Sequence, residues 1–232
     1  MALHDDHHHP HELRHHFDDE LDEIRRGLVT LGSLVVANLS RAGSAILENR
    51  LDLVGEVRHG DEPIDALYAQ LERETFQILA LQQPVAKDLR LLVAATRILY
   101  EMERSGDLAV NIVNCLDREH GFPRRADLDV LLGRLVAASA RVFSMGVEAI
   151  ASLDENAGPA TDSADDEVDE LTGRLFTEIH RVSEEIGLDA AIELTRVGRF
   201  LERIADHGVN IAENITYVVT GSFPDGHEPP AP

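Results

Sequence analysis

The sequence predicts an all-α protein: two tandem three-helix bundles, six helices in all, related by an internal pseudo-two-fold repeat. Three observations predict it. The 232 residues are 44% hydrophobic but only 4% aromatic, with no Trp, a mix that favours helices over strands. Apolar residues recur in steps of three and four through most of the chain. Finally, the stretch Arg97–Ile112 returns 99 residues later as Arg196–Ile211, sharing the pattern Glu-Arg-x-x-Asp-x-x-Val-Asn-Ile. A repeat of this length implies two copies of one helical unit.

Residues 1–16 hold seven of the twelve histidines and are expected to form a flexible tail. From Phe17 to about Val57 the apolar positions Phe17, Leu21, Ile24, Leu28, Leu31, Val35, Leu39, Ala42, Ile46 and Leu53 predict one long helix. Gly60 is its expected C-terminal cap. Asp61 is the expected N-cap of the second helix, with Pro63 in its first turn. Gln82-Gln83-Pro84 ends that helix. A third is expected from about Val85 to Leu116, completing a first repeat over 17–120.

Gly121-Phe122-Pro123 marks a linker at 121–126, and the second repeat spans 127–221. Its first helix is expected from Leu128 to Leu153, and Leu132-Gly133-Arg134-Leu135 echoes Leu31-Gly32-Ser33-Leu34. Asn156-Ala157-Gly158-Pro159 breaks the chain, and a fifth helix opens at Asp165-Asp166-Glu167. Gly187 turns the chain into a sixth helix carrying Leu194 to about Val219, and residues 222–232 read as a disordered tail. Connections this short make neighbouring helices antiparallel.

The net charge of -22 comes from 43 acids against 21 Lys plus Arg. Such a chain repels nucleic acid and anionic lipid, so any contact with a membrane is expected to be indirect, through partners. A single cysteine, Cys115, excludes an intramolecular disulfide and fits a reducing compartment. No signal peptide is evident, and no run approaches the ~18 apolar residues of a spanning helix. The expectation is a soluble, cytoplasmic protein.

The repeat carries a chemical motif. Glu103, Asp107 and Asn111 are spaced i, i+4, i+8 and share one helix face, as do Glu202, Asp206 and Asn210. Two acids one turn apart repel by ~0.2–0.5 kcal/mol, and a cation between them reverses that sign. Asp61 and Asp65 form a second such pair, matched by Asp165 and Asp169. Each half therefore offers two carboxylate pairs on consecutive helices, ligands suited to hard cations and to transition ions in helix bundles. Asn111, Asn210 and His207 are possible additional ligands, although His207 is expected at the surface, about 100° around the helix from Asp206. Two competing explanations stand beside this. Asp61 and Asp165 could serve helix starts, and Arg104 and Arg203 could tie the acids into salt bridges between helices.

Catalytic constellations are lacking: there is no Gly-rich phosphate loop, nucleophile elbow, CxxC or His-Glu-x-x-His. No enzymatic activity is expected. The alternative is a carboxylate-bridged metalloprotein of ferritin-like type, which needs its ligands to converge with an open coordination position.

Pro84-Val85-Ala86-Lys87-Asp88-Leu89-Arg90, Glu103-Arg104-Ser105-Gly106-Asp107, and Leu201-Glu202-Arg203-Ile204-Ala205-Asp206-His207 with Asn210-Ile211-Ala212-Glu213 resemble the PhoU family of phosphate-transport regulators. The resemblance covers about residues 17–221. It departs at Ser105 and Ala205, where the family often has other small or apolar residues, and in the His-rich head. It implies a cytoplasmic negative regulator of phosphate uptake and the phosphate-starvation response. Its implied partners are the ATPase subunit of the phosphate ABC transporter and a sensor histidine kinase, and its implied state is a homodimer. It also implies metal ions on Asp61, Asp65, Glu103, Asp107, Asp165, Asp169, Glu202 and Asp206. Such carboxylate sets accept divalent or ferric ions, with iron, zinc, magnesium and manganese all eligible.

Overall fold

The computed structural model describes residues 9–222, with side chains from Phe17 onward. Six helices follow in order: α1 (His9–Glu48), α2 (Leu53–Gln82), α3 (Ala86–Arg118), α4 (Ala126–Ser152), α5 (Ala157–Ile186) and α6 (Leu188–Thr220). There is no strand among the described residues. The histidine-rich residues 1–8 and the tail 223–232 lie outside them.

Helices α1–α3 pack on one another, as do α4–α6. The two bundles meet through α1 against α4 and α3 against α6, while α2 and α5 touch only their own bundle. Helices α3 and α6 run antiparallel, since Glu101 pairs with Asn210 and Arg118 with Glu193. This is the pseudo-two-fold arrangement that the repeat requires. A continuous apolar core runs through both bundles, with Leu31, Val35, Met102, Leu135, Phe143 and Val197 fully buried.

Several boundaries differ from expectation. Backbone 9–16 is not a tail but the start of α1. That helix ends at Glu48 rather than Val57, because Asn49 takes a left-handed conformation with φ of 54°. There Asn49 Nδ2 donates to the Phe122 carbonyl at 2.7 Å, and the Phe122 amide donates to Asn49 Oδ1 at 2.8 Å. One side chain thus fastens the α1–α2 turn to the inter-bundle linker.

Gly60 does not cap α1, and Asp61 does not cap α2. Helix α2 begins at Leu53 and runs through both, with Pro63 in its interior. An interior proline costs ~3 kcal/mol. Burial of Val54, Val57 and Ile64, each 3% exposed or less, offsets it at ~1.5–3 kcal/mol per side chain. In the second half α5 likewise starts at Ala157, well before Asp165, whereas α6 starts at Leu188, directly after the expected turn at Gly187.

Two segments, Phe17–Glu48 and Ala126–Ser152, do reach the length and apolarity of a membrane-spanning helix. The two helices pack against each other and into their bundles, which buries about half of each apolar segment. At the α4–α6 crossing the backbones touch. A Cβ on Gly146 would sit 2.4 Å from the Gly208 carbonyl oxygen, and one on Gly208 would sit 2.7 Å from the Phe143 Cα. Small residues at this crossing bring α6 close to α4 and fix the face that α6 turns outward.

Candidate functional site

Once α2 runs unbroken past Pro63, Asp61 and Asp65 lie one turn apart in its middle, beside Glu103 and Asp107 on α3. Asp61 is seated against Gly106, where a Cβ would come within 2.6 Å of Asp61 Oδ1. That oxygen is buried and has no hydrogen-bond partner. Burial pushes the Asp61 carboxyl up to about 6, with further contributions from Asp65, Asp107 and Glu103. Glu103 is raised as well, by burial and then by Asp107.

The second half reproduces this arrangement on α5 and α6. Asp165 Oδ1 is likewise buried and without a partner. Burial and then Asp206, Asp169, Asp162 and Glu202 push the Asp165 carboxyl up to about 7. Glu202 and Asp206 are also raised, in each case first by burial. The structure therefore brings the eight expected acids together as two groups of four. Each group bridges the outer helix and the inner helix of its own bundle.

The competing explanations do not account for these groups. Asp61 and Asp165 sit eight residues inside their helices, beyond the first turn where capping and the helix dipole act. Arg104 does not join helices. It stacks on Tyr100 of its own helix, 5.4 Å from the ring centroid, and reaches Asp107 at 3.5 Å. Arg203 lies near enough to Glu101 of α3 and to Asp206 to offset part of the upward shift of each carboxyl, and Arg199 pairs with Glu202 within α6. Among the described residues, no ion pair reaches Asp61, Asp65, Asp165 or Asp169.

The three supplementary candidates separate. Asn111 is exposed on α3. Asn210 turns its amide to Glu101 Oε1 at 3.3 Å, across the boundary between the halves. His207 is not at the surface: it is 7% exposed, since the face about 100° from Asp206 is the one that α6 lays on α3. Its Nδ1 lies 2.9 Å from Ser105 Oγ and its Nε2 3.6 Å from Glu101 Oε2. Burial, then Arg203 and Arg104, lowers the imidazole to about 4, so it is neutral.

Glu101 and Ser105 belong to this inter-bundle polar group, and spacing did not reveal them. The signal available was the mismatch between copies, which places Phe200, Ile204 and Leu108 where the other copy has Glu101, Ser105 and His207. A second clamp joins α3 to α6, where Arg118 donates to Glu193 at 3.1 and 2.6 Å. The same guanidinium contacts Cys115 Sγ at 3.2 Å, and burial pushes that thiol up to about 12, leaving it an unreactive core residue.

Chemically, each acidic group is a set of oxygen donors with surplus negative charge and one desolvated oxygen lacking a proton donor. That donor set fits a cation, although no three His, Cys, Asp or Glu side chains among the described residues converge closely enough to hold a metal ion as they stand. Fold and site together define a tandem helical-bundle protein with duplicated acidic faces.

A family model described as the PhoU domain matches residues 28–116 and again 132–215. The chain belongs to the PhoU family. It is 35% identical over 215 residues to the phosphate-specific transport system accessory protein PhoU homolog of Deinococcus radiodurans, covering 90% of this chain and 99% of that protein. It is 31% identical over 209 residues to the homolog of the same name in Synechocystis, covering 90% and 93%. The crystal structure of PhoU from Pseudomonas aeruginosa superposes with a TM-score of 0.83 at 27% identity, over 89% of this chain and all of that one.

Proposed function

We propose that this protein is a cytoplasmic, non-enzymatic negative regulator of phosphate uptake and of the phosphate-starvation response. It acts by contact with the ATPase subunit of a phosphate ABC transporter and with a sensor histidine kinase, and it works as a homodimer. Family membership supports the phosphate role, since the matched relatives carry the name of phosphate-transport accessory proteins over nearly their whole length. The regulator has no need to touch lipid itself, because its partners supply the membrane.

Cations on the two acidic faces are part of the proposal. Asp61, Asp65, Glu103 and Asp107 would hold one set, and Asp165, Asp169, Glu202 and Asp206 the other. The observation that carries this reading is the buried, unpartnered Oδ1 of Asp61 and its counterpart in Asp165. One such orphan is an isolated cost of ~1–3 kcal/mol; two at equivalent positions point to a shared purpose. A bound cation supplies the positive charge that the carboxylates lack, and with it a tie between outer and inner helix. The ferritin-like alternative has no observation in its favour: the acids lie on the outside of each bundle, and its interior is apolar.

Two measurements test the proposal. A phosphate-starvation promoter reporter in phosphate-replete cells should rise when the gene is deleted and fall when it is restored; an unchanged reporter removes the regulatory reading. Calorimetric titration of purified protein with Mn2+ and Zn2+ should show binding that D61N/D65N and D165N/D169N each reduce. Equal uptake by both variants removes the cation reading and leaves the regulator standing.

A further inference from the structure

The acidic faces occupy α2, α3, α5 and α6, and the opposite side of the molecule has the reverse character. In a chain of net charge -22, residues 24–47 of α1 and 130–147 of α4 contain five arginines and no acid. These two stretches lie antiparallel: the Arg25 Nη1 donates to the Ala151 carbonyl at 3.5 Å, and a Cβ on Gly43 would meet Val136 at 2.7 Å. From Arg25 to Leu47 the strip runs ~33 Å, the length of a helix of about six turns.

The strip is recessed. A cleft of about 390 Å³ opens between α1 and α4, walled by Ser40, Gly43, Val136 and Ala137 and floored by Leu201 and Ile204. A second recess of about 400 Å³ lies at the other end, beside Arg26 and Val29. Arginines flank this apolar channel. Arg41 is exposed on the α2 side. Arg134 and Arg141, each about half exposed, line the α5 side and share a single carboxylate, Glu167, at 3.4 and 2.8 Å. Two guanidiniums thus converge on one carboxylate along that edge.

We infer that the α1–α4 channel is a docking groove for an amphipathic helix of a protein partner, one whose apolar ridge is flanked by Asp and Glu. The recesses take the ridge side chains, and the arginines take the flanking carboxylates in charge-assisted pairs. A second copy of this chain, facing it across a two-fold axis through α1 and α4, would oppose arginine to arginine. An anionic membrane is the weaker match, because the strip has no lysine, tryptophan or tyrosine to anchor at a headgroup layer. The inference deepens the protein-contact reading above and is independent of the cation reading.

The test uses the full chain and labelled synthetic peptides read by fluorescence anisotropy. One peptide carries Leu at i, i+3, i+4 and i+7 with Glu on both flanks; its control carries Lys on the flanks. The Glu-flanked peptide should bind at least tenfold more tightly than the control and weaken with added salt. The exposed-wall variant S40E/A137E should lose at least tenfold, while Q70A on the exposed face of α2 should bind unchanged. Equal binding of the two peptides, no binding of either, or indifference to S40E/A137E overturns the inference. Binding to phosphatidylglycerol vesicles that S40E/A137E abolishes, with no peptide binding, assigns the strip to a membrane and overturns it equally. Failure here with an intact promoter response would sink the groove and spare the regulatory reading.

Discussion

Asp165 is the sharpest place to perturb the molecule. Its carboxyl is pushed from an ordinary 3.8 up to about 7 by burial and by Asp206, Asp169, Asp162 and Glu202. A raised carboxylate destabilises the fold above its folded value, and the penalty disappears as pH falls through about 7 toward 4. At 1.36 kcal/mol per pH unit the ceiling is ~4 kcal/mol. The group is partly exposed, and solvent screening reduces this to ~1–2 kcal/mol. Asp165→Asn removes the charge at nearly constant shape. In chelator at pH 8 it should raise Tm by ~2–8 °C, at ~2–4 °C per kcal/mol for a chain of this size. The difference from wild type should shrink as pH falls below 7 and close only below about 4. The difference is the quantity to follow, because neutral His207 acts in the opposite sense: its contribution is complete above 6.5 and is lost as pH falls toward 4. Added Mn2+ at pH 8 should raise wild-type Tm more than that of the variant. A variant that melts lower than wild type at pH 8 without metal refutes the electrostatic reasoning.

Three further outcomes follow from the packing. Gly208→Ala should cost ~1–3 kcal/mol or prevent folding, because its Cβ would strike the backbone of α4 at 2.7–2.9 Å; a melt within a degree of wild type would contradict the crossing. Asn49→Ala should cost ~1–3 kcal/mol in urea denaturation, having lost a side chain that both accepts and donates at Phe122 and left those backbone groups unpaired; Asn49→Asp should recover only part, since its carboxylate cannot donate to the Phe122 carbonyl. His207→Leu should flatten the loss of stability between pH 6.5 and 4, visible as a smaller difference in Tm across that range; an unchanged pH profile would mean that the imidazole is not held neutral by burial.

Much of the architecture was readable because duplication reports itself twice. The helix count, the antiparallel order and all eight acids came from periodicity and from matching residues between copies. The boundaries failed for identifiable reasons. Gly60, Asp61 and Pro63 read locally as a stop and a start, yet tertiary burial of Val54, Val57 and Ile64 overrides that signal. Asn49 is a left-handed C-terminal residue of a familiar kind, but Leu53 prolonged the apolar rhythm and hid it. His207 was misplaced because neighbouring positions on an isolated helix say nothing about which of them a second bundle will cover. The arginine-only strip was also present in the sequence. It gains meaning only when α1 and α4 are seen side by side.

The two copies have diverged unevenly, and the pattern follows the geometry. On the outward faces Glu103 and Asp107 keep their counterparts Glu202 and Asp206. Across the inter-bundle boundary the counterparts change character in concert. Ser105 and His207 touch at 2.9 Å, while their repeat mates Ile204 and Leu108 are both apolar and buried. Residues that face each other across the pseudo-axis must complement one another, so polarity can change at one end only as a pair. A site that each half builds from its own helices is free of that constraint and can stay the same in both copies. The buried polar pair also distinguishes the native register from a slipped one, because a slip would part buried His207 from Ser105. Polar contacts of this kind set register more than they add stability. The outer faces, held at a fixed separation by that register, are then presented by the fold as two like-charged surfaces in a defined relation.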